Sequence, residues 1–240
     1  MLFSSLVFLS IFLPVLLLVY YTGPKHLRNI VLLVASLFFY GWGEPYMLSV
    51  MVVSIVVNYS MAMCIGATGK IFLRKIILLL AVAFNLGLLF VFKYMDFFII
   101  NVNRLIGGDI GLLKIAMPIG ISFYTFQAIS YLLDVYRRDV PAERSLLHVG
   151  LYITFFPQLI AGPIVKFHEI SRQIVFRTES MRSFAVGMQR FLVGLAKKVL
   201  IANVMGEFVD SIIVGGGSGL CGGGCLALRC CICVPDLLRF

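Results

Sequence analysis

Tyr124, Gln127, Tyr131 and Asp134 stand at i, i+3, i+7 and i+10 in an otherwise apolar stretch. At about 100° per residue, this spacing puts all four on one narrow stripe of a helix. Polar groups are expensive in hydrocarbon, so such a stripe faces a bundle interior or a wet cavity. It can be interhelical hydrogen-bond glue, or it can line a substrate path. Asp134 also lies close enough to Arg137 and Arg138 to form a simple interfacial ion pair. A second constellation runs from Phe155 to Lys166, where Pro157, Gly162 and Pro163 interrupt a segment that would otherwise cross, with Gln158 and Lys166 among them. The backbone groups freed there need protein or water as partners, and the segment reads either as a re-entrant element beside a path or as a kink at a helix end.

The histidines and cysteines carry less. His26 sits in a basic loop, His148 opens a segment and His168 follows the Gly-Pro break, and none has a second His, Cys or carboxylate at ligand spacing. None is assigned as metal ligand or catalytic base. Of the six cysteines, Cys64 is alone in an apolar run, whereas Cys221, Cys225, Cys230, Cys231 and Cys233 crowd the end of the chain. The last three are too close together for paired CxxC ligands, so no metal site is expected. The glycine-rich run from Gly215 to Gly224 lacks the Lys-Ser/Thr ending of a phosphate-binding loop, and no nucleophile elbow or paired carboxylates precede it.

The elements that must position these residues follow from composition. The 240 residues are 61% hydrophobic and 13% charged, against about 45–50% and 25% in soluble domains. A soluble globular domain is excluded, and the long apolar runs exclude disordered and collagen-like classes. The formal charge of +9 comes from 20 Lys and Arg scattered in small clusters between those runs. That is a topology signal, and without a basic stripe interleaved with aromatics no nucleic-acid partner is expected.

Apolar segments are expected at Met1 to Tyr21, Ile30 to Trp42, Tyr46 to Ile65, Ile76 to Phe92 with an extension to Ile100, Ile115 to Leu133, and the broken Leu146 to Val165. A long amphipathic segment, Ser183 to Val214, follows. The fold class is therefore all-α, a polytopic helical membrane protein of about six to eight membrane segments, one of them broken or re-entrant. The first segment precedes its charges, Lys25 and Arg28, so it reads as a retained helix and not a cleaved signal. Lys25, Arg28, Lys70, Arg74, Lys75, Arg137, Arg138, Arg144, Lys166, Arg172, Arg177 and Arg182 fall in alternate loops, which places those loops inside and the N-terminus outside. The shortest step is Ile30 to Trp42, which covers only about 20 Å at 1.5 Å per residue.

Four stretches, in order and spacing, resemble the membrane-bound O-acyltransferase family, in particular its bacterial alginate O-acetyltransferase-like branch. They are Phe39-Tyr40-Gly41-Trp42-Gly43-Glu44-Pro45; Phe92-Lys93-Tyr94; Pro118 to Gln127, continuing through Tyr131, Asp134, Tyr136 and Arg137; and Phe156-Pro157-Gln158-Leu159 with Ala161-Gly162-Pro163-Ile164. The resemblance covers about 1–214. It implies transfer of an acyl group, usually acetyl, from a cytoplasmic thioester donor through a membrane tunnel to a hydroxyl of an extracytoplasmic polysaccharide. It further implies a bacterial inner (plasma) membrane location, membrane lipid and accessory O-acetylation proteins as partners, and no bound cofactor beyond the thioester co-substrate, acetyl-CoA or an acyl carrier. Tyr124, Gln127, Tyr131, Asp134, Gln158, Gly162, Pro163 and Lys166 are the candidates for the substrate path. A small transporter or channel component is the alternative, which inverted repeats would favour; none is evident.

The family's catalytic histidine lies downstream of everything matched, so the chain is expected to be the truncated, inactive N-terminal part of such an enzyme. The segment 215–240 reads as a foreign tail. Cys231-Ile232-Cys233-Val234-Pro235-Asp236-Leu237-Leu238-Arg239-Phe240 can be encoded as TGC ATA TGC GTT CCA GAT TTA CTT CGA TTT. Read one base later, those codons give Ala-Tyr-Ala-Phe-Gln-Ile-Tyr-Phe-Asp and the first two bases of a Phe codon, which matches the aromatic motif the family carries next. A shifted reading frame is the expectation.

Overall fold

A computed structural model describes residues 5–43, 45–108, 111–113, 117 and 118, 120–159, 162, 165–177 and 179–206. Every regular element among them is helical. The described chain divides into two compact units, one of residues 12–177 and one of residues 5–11 with 179–206.

In the larger unit the helices are α1 (Leu13–Thr22), α2 (Arg28–Gly43), α3 (Pro45–Ala67), α4 (Ile71–Leu89), α5 (Met95–Ile106), α6 (Ile121–Arg137), α7 (Leu146–Thr154), α8 (Phe156–Leu159) and α9 (Phe167–Val175). Two stretches are long and apolar enough to cross a bilayer: α3, and the continuous helix Ile71–Ile106 that joins α4 and α5 through a π-helical turn at Phe90–Tyr94. At 1.5 Å per residue these are about 35 and 54 Å long, against about 30 Å of hydrocarbon. Pro45 opens α3 at the one helical position where its missing N–H costs nothing. Gly107, at φ 67°, closes α5 with its N–H on Asn103 O, the left-handed ending that a residue without Cβ adopts freely.

The core gathers around α6, which packs on α3, α4, α7 and α9. Its buried face carries Ile121, Tyr124, Thr125, Gln127, Ala128, Tyr131, Leu132, Asp134 and Val135. The expected span beginning at Ile115 thus has its described helix from Ile121, immediately after Gly120, whose φ of 75° breaks the helical path. Helix α4 runs five residues earlier than the apolar run, because Arg74 lies over the end of α6 and its guanidinium Nη2 donates to the carbonyls of Val135 and Tyr136. The expected span Leu146 to Val165 is two helices, α7 and α8, broken at Phe155. The second break proline, Pro163, lies outside the described residues.

Helix α9 was not expected from the apolar pattern. Its buried Phe167 and Ile174 and half-buried Ile170 recur at i, i+3 and i+7 and pack on the core, while His168, Glu169 and Gln173 are exposed. That is an amphipathic helix with only its narrow face covered. It lies at the end of the unit where α1 stops and α2 begins, since Asn29 Nδ2 donates to Ile174 O at 3.0 Å and Arg177 Nη1 to Tyr20 Oη at 3.1 Å.

In the smaller unit, α10 (Met181–Lys197) starts at Ser180, whose Oγ accepts the N–H of Ser183 at 3.1 Å, an N-cap of the ordinary kind. It runs on through a π-helical turn at Lys198–Ala202. This is the described part of the amphipathic segment expected from Ser183.

Candidate functional site: a broken helix beside a cavity

Pro157 decides the local structure. A helix running through it would need an N–H to bond Ile153 O, which proline lacks, and its ring would collide with that carbonyl. The chain leaves the helical path at Phe155 (φ −51°, ψ 107°) and restarts with Pro157 in the first turn of α8, where proline is tolerated. The N–H groups of Gln158 and Leu159 both close on Phe155 O at 3.0 Å.

The break frees backbone groups, and named side chains meet them. Phe156 N–H, which would have bonded Tyr152 O, donates instead to Ser36 Oγ on α2 at 3.3 Å. Tyr152 O accepts from Gln127 Nε2 on α6 at 2.6 Å. Tyr152 Oη donates to Val165 O at 2.8 Å. An unsatisfied buried carbonyl or amide costs about 1–3 kcal/mol, so Ser36, Gln127 and Tyr152 are what let the break persist inside the unit.

Beside the break lies a cavity of about 490 Å³, reaching from Tyr20 and Arg177 past Leu32 and Leu151 to Phe155, Gln158 and Gly162. Its wall is mostly apolar, with Gln158, Gln173 and Arg177 as polar points. Gly162 belongs to its wall, and a Cβ there would stand 2.6 Å from Gln158 Cα. Away from the wall, a Cβ on Gly120 would stand 2.8 Å from Leu159 O in a left-handed backbone, so α8 packs closely on the start of α6.

The eight path candidates divide. Gln158 and Gly162 line the cavity. Gln127 touches the cavity's supporting helix through Tyr152 O, and Tyr124 is fully buried on the same face of α6. Tyr131 Oη accepts Glu143 N–H at 3.1 Å, and its ring lies 4.8 Å from that of Phe167. Asp134 meets His168, Nδ1 to Oδ2 3.8 Å, and that oxygen is buried without a hydrogen bond among the described residues. Its expected pairing with Arg137 or Arg138 is therefore replaced by a histidine from α9, a neighbour that sequence spacing could not supply. Lys166 is exposed and does not line the cavity; Pro163 is outside the described residues. His148 also gains a carboxylate through folding, Nδ1 standing 3.3 Å from Glu143 Oε1. Among the described residues no group of three or more His, Cys, Asp and Glu could hold a metal ion.

The chain is 40% identical over 215 residues to the "Probable alginate O-acetylase AlgI" of Pseudomonas aeruginosa, a match that covers 88% of this chain and 41% of that protein. Over that stretch the chain is homologous to curated O-acetyltransferases of the membrane-bound O-acyltransferase family. The protein of the same name from Azotobacter vinelandii is also 40% identical, with 88% and 43% covered. The "Peptidoglycan O-acetyltransferase" of Helicobacter pylori is 35% identical over 242 residues, with 88% and 46% covered. The chain thus spans less than half the length of these curated relatives. No family model and no solved structure matches it.

Sequence reasoning passed over several residues that the fold uses. Ser36 and Tyr152 gave no signal, being ordinary polar residues in apolar runs. Asn58 and Asn85 did give one: each is a lone amide well inside an apolar helix, and each needs a partner there. They find one another, Asn58 Nδ2 to Asn85 Oδ1 at 3.1 Å and Asn85 Nδ2 to Asn58 Oδ1 at 2.6 Å.

Proposed function

We propose that the chain supplies the cavity-bearing part of a membrane-bound O-acyltransferase, which moves an acetyl or similar acyl group from a thioester donor to a hydroxyl of a polysaccharide. The single observation behind this reading is the cavity beside the broken helix: an apolar space of about 490 Å³ with few polar points, which suits an acyl thioester better than a free sugar. The names of the relatives supply the chemistry, acetylation of alginate in one group and of peptidoglycan in the other.

In this reading the unit is polytopic, with α1, α2 and α6 crossing beside α3 and the Ile71–Ile106 helix and the α7–α8 pair re-entering from the cytoplasmic side, in the inner membrane of a bacterium. Tyr20, Gln173 and Arg177 then stand at the cytoplasmic mouth, where a donor such as acetyl-CoA or an acyl carrier enters, and Gln158 and Gly162 lie deeper. Ser36, Gln127 and Tyr152 keep the break open, Asp134 and His168 hold α9 across the end of α6, and the acceptor polymer and accessory proteins approach from the opposite face.

The test uses membranes carrying the full gene product, a labelled acetyl thioester and alginate or peptidoglycan as acceptor. Label should move to polymer, and Leu32→Trp, which fills the cavity, should cut transfer at least tenfold at unchanged membrane abundance. Undiminished transfer by Leu32→Trp, or no transfer by the full product to either polymer, overturns the assignment.

A further inference from the structure

A second concavity shares no residue with the cavity. It has a volume of about 660 Å³ and is walled by Met63 and Gly66 at the end of α3, Arg74 at the start of α4, and Arg138, Val140 and Arg144 after α6. Three arginines therefore line one space, and among the described residues no Asp or Glu does. The nearest acids in sequence are occupied or turned elsewhere: Glu143 Oε1 accepts Ser145 N–H at 3.1 Å and lies 3.3 Å from His148, and Asp139 is not part of the wall.

The arginines differ. Arg74 is buried, donates to the carbonyls of Val135 and Tyr136 and lies over the Tyr136 ring at 5.3 Å, so it completes the negative end of α6 as a structural cation. Arg138 and Arg144 are exposed, and their guanidinium groups make no hydrogen bond or ion pair with a described residue. Arg138 is also the one described non-glycine residue with positive φ, at 66°. It occupies the position after a helix where glycine is the usual choice. A side chain kept there at a conformational cost has to be useful as a side chain.

The geometry points to this pocket as a site for the phosphodiester headgroup of an anionic phospholipid. The two free guanidinium forks match a phosphate's paired oxygens, and basic pockets between membrane helices on the cytoplasmic side take such headgroups. Met63, Val140, Pro141 and Ala142 give the wall an apolar side for glycerol and the first methylenes. The pocket sits where α3 and the Ile71–Ile106 helix, both long enough to cross a bilayer, turn into one another, the level at which headgroups lie. A nucleotide phosphate arrives with a flat base, and among the described residues no aromatic one lines this pocket to stack on it. The site is separate from the acyl-transfer reading and does not need it.

The test is native mass spectrometry and lipid titration of the full-length protein in phosphatidylcholine nanodiscs, with cardiolipin or phosphatidylglycerol added. The variant pairs Arg138→Asn with Arg144→Gln, because asparagine tolerates the left-handed backbone and Arg74 is left in place to hold α6. The control, Lys25→Gln with Lys70→Gln, removes the same charge from other loops. Anionic lipid should remain on the wild type and the control, and bind the arginine variant roughly twentyfold more weakly. Equal binding by variant and wild type, or equal weakening by the control, overturns the site. So does displacement of the lipid by millimolar inorganic phosphate or adenosine 3′,5′-bisphosphate, which would mark a soluble phosphate as the ligand. Thermal unfolding in pure phosphatidylcholine should coincide for all three proteins, and an arginine variant that unfolds much earlier there would assign the arginines to folding instead.

Discussion

Replacing Asn58 or Asn85 by leucine should loosen the contact between α3 and α4 by an amount the structure lets us bound. The two amides are 0% and 1% exposed and exchange two hydrogen bonds, at 3.1 and 2.6 Å. Interhelical hydrogen bonds in membranes average about 0.6 kcal/mol and reach about 1.7, so the exchanged pair is worth about 1–2 kcal/mol. Each NH₂ also has a carbonyl on its own helix, Ser54 O for Asn58 and Ala81 O for Asn85, both at 2.8 Å. A single substitution therefore orphans mainly the survivor's Oδ1, and its cost stays near the low end of the 1–3 kcal/mol for an unmet buried group. The double substitution orphans neither, because leucine needs no partner. Single variants should lose about 1–2 kcal/mol each, and the double variant clearly less than their sum, leaving a coupling of about 1 kcal/mol. The assay is a double-mutant cycle on unfolding in micelles, read by helix content or steric trapping. About 14 Å of helix separates Asn58 from the end of α3 at Ala67, near the middle of a bilayer of about 30 Å. A coupling within about 0.3 kcal/mol of zero would show that the amides are separately solvated and that this depth is wrong.

Gln127→Leu should cost about 1–3 kcal/mol in the same assay because it leaves Tyr152 O without its donor; Ser36→Ala should cost less, since its bond to Phe156 N is longer, at 3.3 Å. If Gln127→Leu unfolds like the wild type, the break is held by something else. Gly162→Ala should destabilise by about 1–3 kcal/mol, as its Cβ would lie 2.6 Å from Gln158 Cα, and acyl transfer should fall further than abundance; a neutral alanine would mean the loop is free to shift. Single cysteines at Thr68 and Asp139, in a background without native cysteines, should be shielded from an impermeant reagent added outside intact cells, and labelling of either from outside would invert the topology.

Much of the architecture was legible because apolar length is a local property. Ile30 to Trp42 became α2 with two residues added before and one after, and Tyr46 to Ile65 became α3 nearly unchanged. The continuation past Lys93 was legible too, since one charge at a π-helical turn does not stop a helix. The break at Phe155 followed from Pro157 alone. What the pattern could not supply was pairing. Helix α9 was hidden because Lys166, His168, Glu169 and Arg172 read as a charged loop, and only the core beneath selects the Phe167, Ile170 and Ile174 face. In the sequence His168 is isolated because Asp134 is distant, and nothing in the Asn58 amide points to Asn85 as its partner. The polar stripe on α6 was visible as a stripe, but its targets, a carbonyl on α7 and an amide before it, exist only once the helices are packed.

Those targets change what the stripe means. Gln127 does not project into the cavity; it holds the last turn of α7 in a shape whose other side is the cavity wall, through a carbonyl that only a broken helix exposes. Had Pro157 been alanine, Phe156 N–H could have returned to Tyr152 O, and Ser36 and Gln127 would have become two unmet polar groups in an apolar unit. Had Gln127 been leucine, the broken path would carry a carbonyl without its side-chain donor. Proline, serine and glutamine therefore stabilise one another only jointly, and each alone is a liability in an apolar interior. Of the two readings open at the sequence level, the hydrogen bond of Gln127 matches the first: a polar side chain on α6 acts as glue for the backbone that bounds the cavity.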